Sequence, residues 1–257
     1  MTISFDIAAA GRSGAASELF GKLSENSPAS LLMLNGAELC ILGGPKHPLF
    51  WEPLATSWLR SDPQPRNRMI EACTSMMIER GLLIEETPGQ GYHPGAHFAL
   101  SPELGITLAA RCHPTFVITT SYTRELPPVS LFAVGDEADP VRGLVIEIPD
   151  MVPGTKAHAE SMGPLGLLFY YVLHTPDSAA EYLADWTLRP TPAKRFHKQP
   201  PRTVALIRPG QGPVPTRELT VAGDGTSAHL DGQGVTGEYD KDGLQQVMRD
   251  LIVQGTP

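Results

Sequence analysis

The stretch from Ser101 to Tyr122 reads SPELGITLAARCHPTFVITTSY. It opens with a capping hydroxyl, a proline at the first helical position and an acid in the first turn, which together predict a helix. We expect this helix to run to about Arg111 and to stop before Pro114. The β-branched and aromatic run from Phe116 to Tyr122 then predicts a strand. A helix therefore leads directly into a sheet.

The same order of elements recurs further along the chain. In the first copy, the strand at 116–122 is followed by predicted strands at 129–134 and 141–148. In the second copy, Asp177 is predicted to cap a helix that reaches Leu188 and ends before Pro190. Three more strands and a final helix capped by Asp240 are then predicted, at 203–208, 217–221, 227–230 and 240–253. A duplication would place two αβ lobes about a pseudo-twofold axis with their antiparallel sheets joined. Chance similarity among short strands is the alternative.

The first hundred residues are predicted to be mainly helical. Apolar residues recur at helical or continuous spacing in four segments, at 15–23, 30–42, 49–59 and 66–80. Gly81 lies where a helix C-cap belongs. The short apolar runs at 82–84 and 97–100 flank a Gly-rich turn, so the order of elements resembles a winged helix.

These patterns predict an α+β fold with a helical, winged-helix-like region at 1–100 and two αβ lobes at 101–175 and 176–257. Residues 149–163 are predicted to form a loop. The segment from Pro164 to His174 is apolar throughout, and we interpret it as a buried helix, with a strand as the alternative.

Composition argues against several classes of protein. The 20 basic and 28 acidic residues among 257 give a net charge of −8, and 41% of the chain is hydrophobic. An acidic protein lacks the cationic footprint that coating nucleic acid or an anionic membrane requires. No apolar run reaches the ~18–20 residues of a membrane span, and Asp6 stands where a signal peptide carries Lys or Arg. We therefore expect a cytoplasmic protein without membrane association.

No recognised catalytic or cofactor motif stands out. His93 and His97 have metal-ligand spacing, but Pro94 and Gly95 between them prevent the helix that would align them. The three cysteines are too far apart for a CxxC site, and Gly223-Asp224-Gly225 is typical of a hairpin turn. We predict no catalytic residue, no metal site and no cofactor, which favours a protein that is not an enzyme.

Two groups of residues are candidates for binding. Tyr170, Tyr171 and Trp186 are of the types that anchor interfaces, although core packing is the commoner role of such residues. Lys194, Arg195 and Lys198 belong to the basic cluster of the chain, in a Pro-rich stretch. This cluster could receive an acidic partner segment, or could simply be a solvated loop.

Three stretches resemble the EspG family, the cytosolic specificity chaperones of type VII secretion in actinobacteria. They are Met77 to Ile84 (MIERGLLI), Leu100 to Pro114, and Arg202 to Leu206 (RTVAL) followed by the helix from Asp240 to Val253. The resemblance covers residues from about 70 to the end, and 150–174 does not match it. It implies a pseudo-twofold pair of αβ lobes that binds the hydrophobic tip of a helical substrate dimer. No binding residue carries over, because no motif position matches.

Three functions remain open from the sequence. The first is a non-catalytic, chaperone-like protein whose partner is another protein. The second is a winged-helix transcription regulator with a ligand-sensing C-terminal part, although Glu71 and Glu79 dilute the positive charge of its recognition helix. The third is an enzyme without a recognisable motif. The oligomeric state stays undetermined.

Overall fold

The helices and strands of the chain define an α+β fold, as the sequence predicts. The computed structural model describes residues 20–21, 23, 28–43, 51–87, 89, 91, 93, 96–121, 128–135, 139, 141–150, 163–189, 202–208, 215–232 and 234–255. The α-helices described in full are α1 (Gly36–Leu42), α2 (Glu52–Arg60), α3 (Pro63–Glu79), α4 (Pro102–Cys112), α5 (Pro176–Leu188) and α6 (Lys241–Gly255). A 3₁₀ turn covers Gly163–Gly166.

The strands form one large antiparallel sheet and one hairpin. They are β1 (Ala29–Asn35), β2 (Leu83–Glu85), β3 (Phe98–Leu100), β4 (Val117–Ser121), β5 (Val129–Val134), β6 (Gly143–Pro149), β7 (Leu168–His174), β8 (Arg202–Ile207), β9 (Arg217–Gly223), β10 (Ala228–Gly232) and β11 (Val235–Tyr239). The large sheet has the order β1-β7-β6-β5-β4-β8-β9-β10-β11, and β2 pairs with β3.

The chain divides into two compact units. The helical unit contains the described residues of 1–22, 30–113 and 149–171, and the sheet unit contains those of 23–29, 114–148 and 172–257. Each unit is assembled from separate stretches of the chain, whereas the sequence analysis expected three consecutive regions. The reason is that strands distant in sequence pair with each other, which no local pattern reveals.

The helical unit contains α1, α2 and α3 followed by the β2–β3 hairpin, which is the order of elements that the sequence predicts. Gly81 has a φ of +69° at the end of α3, as expected of a helix C-cap glycine. The predicted helix at 30–42 is wrong in its first half, because β1 occupies Ala29–Asn35 and α1 begins only at Gly36. A continuous apolar run does not by itself distinguish a buried strand from a buried helix. The predicted helix at 15–23 lies largely outside the described residues.

The predicted buried helix at 164–174 is also wrong, and the alternative, a strand, is correct. The 3₁₀ turn leads into β7, where Phe169, Tyr171 and Leu173 are buried while Tyr170 between them is exposed. This alternation has the two-residue period of a strand. The aromatic and β-branched side chains of the segment also favour extended backbone.

The antiparallel pairing of β4 with β8 places a local pseudo-twofold axis at the centre of the strand order of the sheet unit. Strands β4 and β8 pair antiparallel from Val117 opposite Ile207 to Ser121 opposite Thr203, so the midpoint is the pair of Thr119 and Ala205. Strands β5 and β6 follow on one side of this pair, and β9 and β10 follow on the other. Two antiparallel arms are therefore joined at this pair, while the duplication of the halves stays a prediction. The sequence predicts three strands in each arm, but the strand order continues to β11 on one side and to β7 and then β1 on the other.

Helices α5 and α6 cover one face of the sheet unit, here called the inner face. Their apolar residues pack with inward-facing residues of the strands into a single core, which includes Ile118, Leu131, Leu144, Val204, Leu230, Leu183, Trp186, Leu244, Met248 and Leu251. Ion pairs join the helices at the surface: Arg249 lies 2.8 Å from Asp177, and Lys241 lies 2.9 Å from Asp185 and 3.5 Å from Glu181. Removal of this apolar area from water supplies the main stabilisation of the unit.

Candidate interaction surfaces

The aromatic residues that the sequence offers as binding candidates differ in their exposure to solvent. Tyr170 is 42% exposed, and its hydroxyl donates a hydrogen bond of 3.2 Å to the Asp150 carboxylate. The charge of that carboxylate raises the pKa of Tyr170. Tyr171 and Trp186 are buried, so neither side chain offers surface to a partner. Lys194, Arg195 and Lys198 lie outside the described residues.

Trp186 lies beside the groups that cap the C-terminal end of α5. The buried Arg202 guanidinium lies 4.2 Å from the centre of the Trp186 ring. It donates hydrogen bonds to the carbonyls of Trp186 and Arg189, and the Gly225 N–H donates to the Leu188 carbonyl at 2.9 Å. The last carbonyls of a helix have no partners within the helix. Arg202 and the β9–β10 turn therefore cap α5.

The face of the sheet unit opposite α5 and α6, here called the outer face, differs between the two arms. In the first arm, the cross-strand row of Val117, Phe132 and Val145 is apolar and buried. Under the pseudo-twofold axis this row corresponds to Thr203, Thr220 and Asp231, which are paired in the same way. The second arm is thus polar where the first is apolar.

The outer face of the second arm is acidic and exposed. Its described residues beyond the row just given include Glu218, His229, Thr236 and Glu238, all exposed, and no Lys or Arg. Glu238 Oε1 lies 3.1 Å from His229 Nδ1, and the Thr236 hydroxyl donates to the Asp231 carboxylate at 3.2 Å. Sequence reasoning missed these acids. These acids could have been found from the two-residue spacing of polar side chains within 218–222 and 229–238, which is typical of a strand with one exposed face.

The helical unit exposes isolated apolar side chains. Ile84 is 50% exposed on β2 opposite Ala99 of β3, and Leu59 and Met76 are exposed on α2 and α3. On α3 the exposed Arg68 is accompanied by Glu71 and Glu79. A recognition helix needs a cationic face toward the DNA phosphates. Because Glu71 and Glu79 are exposed on the same helix as Arg68, the exposed charge of α3 is mixed.

The cysteine thiols are held in the unreactive, protonated form. Burial raises the pKa of Cys40 to about 12 and that of Cys73 to about 11, and burial also raises the pKa of Cys112. A cysteine nucleophile requires the opposite shift, because the thiolate is the reacting species. These environments are those of structural cysteines.

The β2–β3 hairpin encloses a concavity of about 120 Å³ lined by Glu85, Glu86, His93, His97 and Phe98 among others. The Glu85 carboxylate accepts hydrogen bonds from the Gly89 and Gly91 N–H groups, so it closes the loop of the hairpin.

Among the described residues, no three His, Cys, Asp or Glu side chains are placed to hold a metal ion together. None of the described helices is both long enough and apolar enough to cross a bilayer.

His174 is buried at the end of β7 and provides a test of the sheet unit. Its Nδ1 lies 2.9 Å from the Ser178 hydroxyl and its ring contacts that of Tyr182 edge-on. Burial lowers the pKa of His174 to about 4. Between pH 6.5 and 4 the unfolded state binds the proton and the folded state does not, so stability falls as the pH falls through this window.

We expect this single histidine to remove roughly 3 kcal/mol of unfolding free energy between pH 6.5 and 4. Urea unfolding of the wild type and of His174→Asn, which keeps a hydrogen-bonding group for Ser178, isolates the effect. The variant should show a correspondingly weaker pH dependence. Parallel pH profiles of the two proteins would contradict the buried, neutral imidazole.

In comparisons with known proteins, the chain matches no family model, no curated protein and no solved structure. The fold is that of an α+β protein in which the central antiparallel pair of β4 and β8 joins two arms of the large sheet.

Proposed function

We propose that this chain is a non-catalytic, chaperone-like protein that binds another protein in the cytoplasm, in the manner of the EspG-like specificity chaperones of type VII secretion. The pseudo-twofold axis between β4 and β8 carries the proposal. Two αβ halves related in this way are what the sequence resemblance implies, and the symmetrical order of strands around this axis supports the proposal.

The nature of the surfaces also supports a binding role. The outer face of the second arm is broad and solvent-exposed, with carboxylates and hydroxyls at regular two-residue spacing. Protein partners are recognised on such open surfaces, whereas small molecules are held in enclosed, mainly apolar pockets. The concavity of the β2–β3 hairpin is small and polar by comparison. Burial keeps the Cys40 and Cys73 thiols protonated, because it raises their pKa values.

Recovery of the tagged full-length chain from its own host, at low and at moderate salt, tests this function. We expect a helical protein partner in stoichiometric amount that stays bound at moderate salt. The same tag on an unrelated acidic protein is the control. DNA that is recovered at low salt and lost as salt rises would instead indicate the transcription regulator. Conversion of a metabolite by the purified chain would indicate an enzyme.

A further inference from the structure

Strand β11 forms an edge of the large sheet. It is the last strand in the order, and among the described residues it pairs only with β10, from Val235 opposite Gly232 to Tyr239 opposite Ala228. In an antiparallel ladder, alternate backbone N–H and C=O groups of an edge strand point away from its neighbour. These groups are a template for one more strand.

The two faces of β11 differ in chemistry. Thr236 and Glu238 are exposed on the outer face, while Val235 and Tyr239 pack partly buried against the core on the inner face. A strand added beyond β11 would place successive side chains alternately beside these two surfaces. The edge therefore favours a segment whose polar and apolar residues alternate.

Charge determines which polar residues fit. The outer face near this edge carries Glu238, Asp231 and, one strand further in, Glu218. Lys and Arg side chains are long enough to reach the carboxylates of the second strand as well as the first. Pairing of β11 with β11 of a second copy would instead bring like charges together, which disfavours self-association.

We propose that β11 is a docking edge for an extended partner segment that alternates basic and apolar residues. Backbone hydrogen bonds to the edge would provide binding, and the basic side chains on the outer face would provide specificity. The inference rests on the proposed binding function and names the chemistry of one extended segment that the helical partner would carry.

The probe is a capped, fluorescently labelled peptide TKVKVRVT, titrated into the full-length chain. We expect saturable binding by fluorescence anisotropy, with amide chemical-shift changes concentrated in β10 and β11. Asp231→Lys with Glu238→Lys should weaken binding at least tenfold. Asp242→Lys with Asp250→Lys, which makes the same change in net charge on exposed positions of α6, should leave binding within about twofold.

A second probe separates edge pairing from charge attraction without altering the protein. The same peptide methylated on alternate backbone nitrogens keeps its charge and loses its hydrogen-bond donors, so we expect it not to bind. Equal binding of the methylated peptide, equal binding by the Asp231→Lys, Glu238→Lys variant, or β11-dependent dimerisation would each overturn the proposal. If that variant still recovers the natural partner from the host, the docking edge fails while the binding function stands.

Discussion

Replacing Gly223 by alanine is expected to lower the free energy of unfolding of the sheet unit strongly, although the substitution adds only one carbon atom. A Cβ at this position would lie 2.3–2.8 Å from the backbone carbonyl oxygens of Thr187, Leu188 and Arg189. Backbone atoms at the end of α5 are held by Arg202 and Gly225 and cannot move aside as a flexible side chain would. We expect the free energy of unfolding to fall by about 3 kcal/mol or more.

Urea or thermal unfolding measures this change, and Gly43→Ala is the matched control. A Cβ at Gly43 would meet its nearest neighbour at 3.9 Å, an ordinary contact. That variant should lie within about 1 kcal/mol of the wild type. A Gly223→Ala protein as stable as the Gly43→Ala protein would show that α5 does not end against the β9–β10 turn as described.

The second large effect is expected at Glu38, a fully buried carboxylate at the start of α1. Glu38 accepts a hydrogen bond from the Asn35 N–H at 2.9 Å, and the Asn35 side chain accepts one from the Glu38 N–H, which completes a capping box. Arg80 donates to the other carboxylate oxygen at 2.8 Å and also to the Met33 carbonyl. One side chain thus joins β1, α1 and the end of α3.

Glu38→Ala removes the cap and leaves Arg80 without its ion-pair partner, and we expect a loss of about 3 kcal/mol. Glu79→Ala removes an exposed carboxylate of α3 and should change stability by less than about 0.5 kcal/mol. Chemical denaturation of both variants checks the difference. Combining Glu38→Ala with Arg80→Met should cost less than the sum of the single changes, and simple additivity would contradict a coupled pair.

The ends of the helices could largely be predicted from the sequence because capping is local. Ser101 caps α4 by accepting from the Leu104 N–H, and Asp240 caps α6 by accepting from the Gly243 N–H, both as predicted. The prediction that Asp177 caps α5 is wrong, since Thr175 is the cap and Pro176 takes the first helical position. The Thr-Pro-Asp start of α5 repeats the Ser-Pro-Glu start of α4.

Non-local pairing limited the rest of the sequence analysis. The pseudo-twofold relation of the arms depends on β4 lying beside β8, some eighty residues away, and a local pattern contains no such pairing. The same holds for the outer face, because Asp231 joins Thr203 and Thr220 in one row only once the registers are set. Tyr171 and Trp186 illustrate the converse problem, since residue type alone does not separate an interface anchor from a core residue.

The proposed binding function is tested most directly by mixing the purified full-length chain with a purified helical substrate dimer of type VII secretion from its own host. Size-exclusion chromatography with light scattering gives the mass of any complex. We predict a stable complex that persists at moderate salt. Separate elution of the two proteins across the substrate pairs of that host would contradict the proposed function.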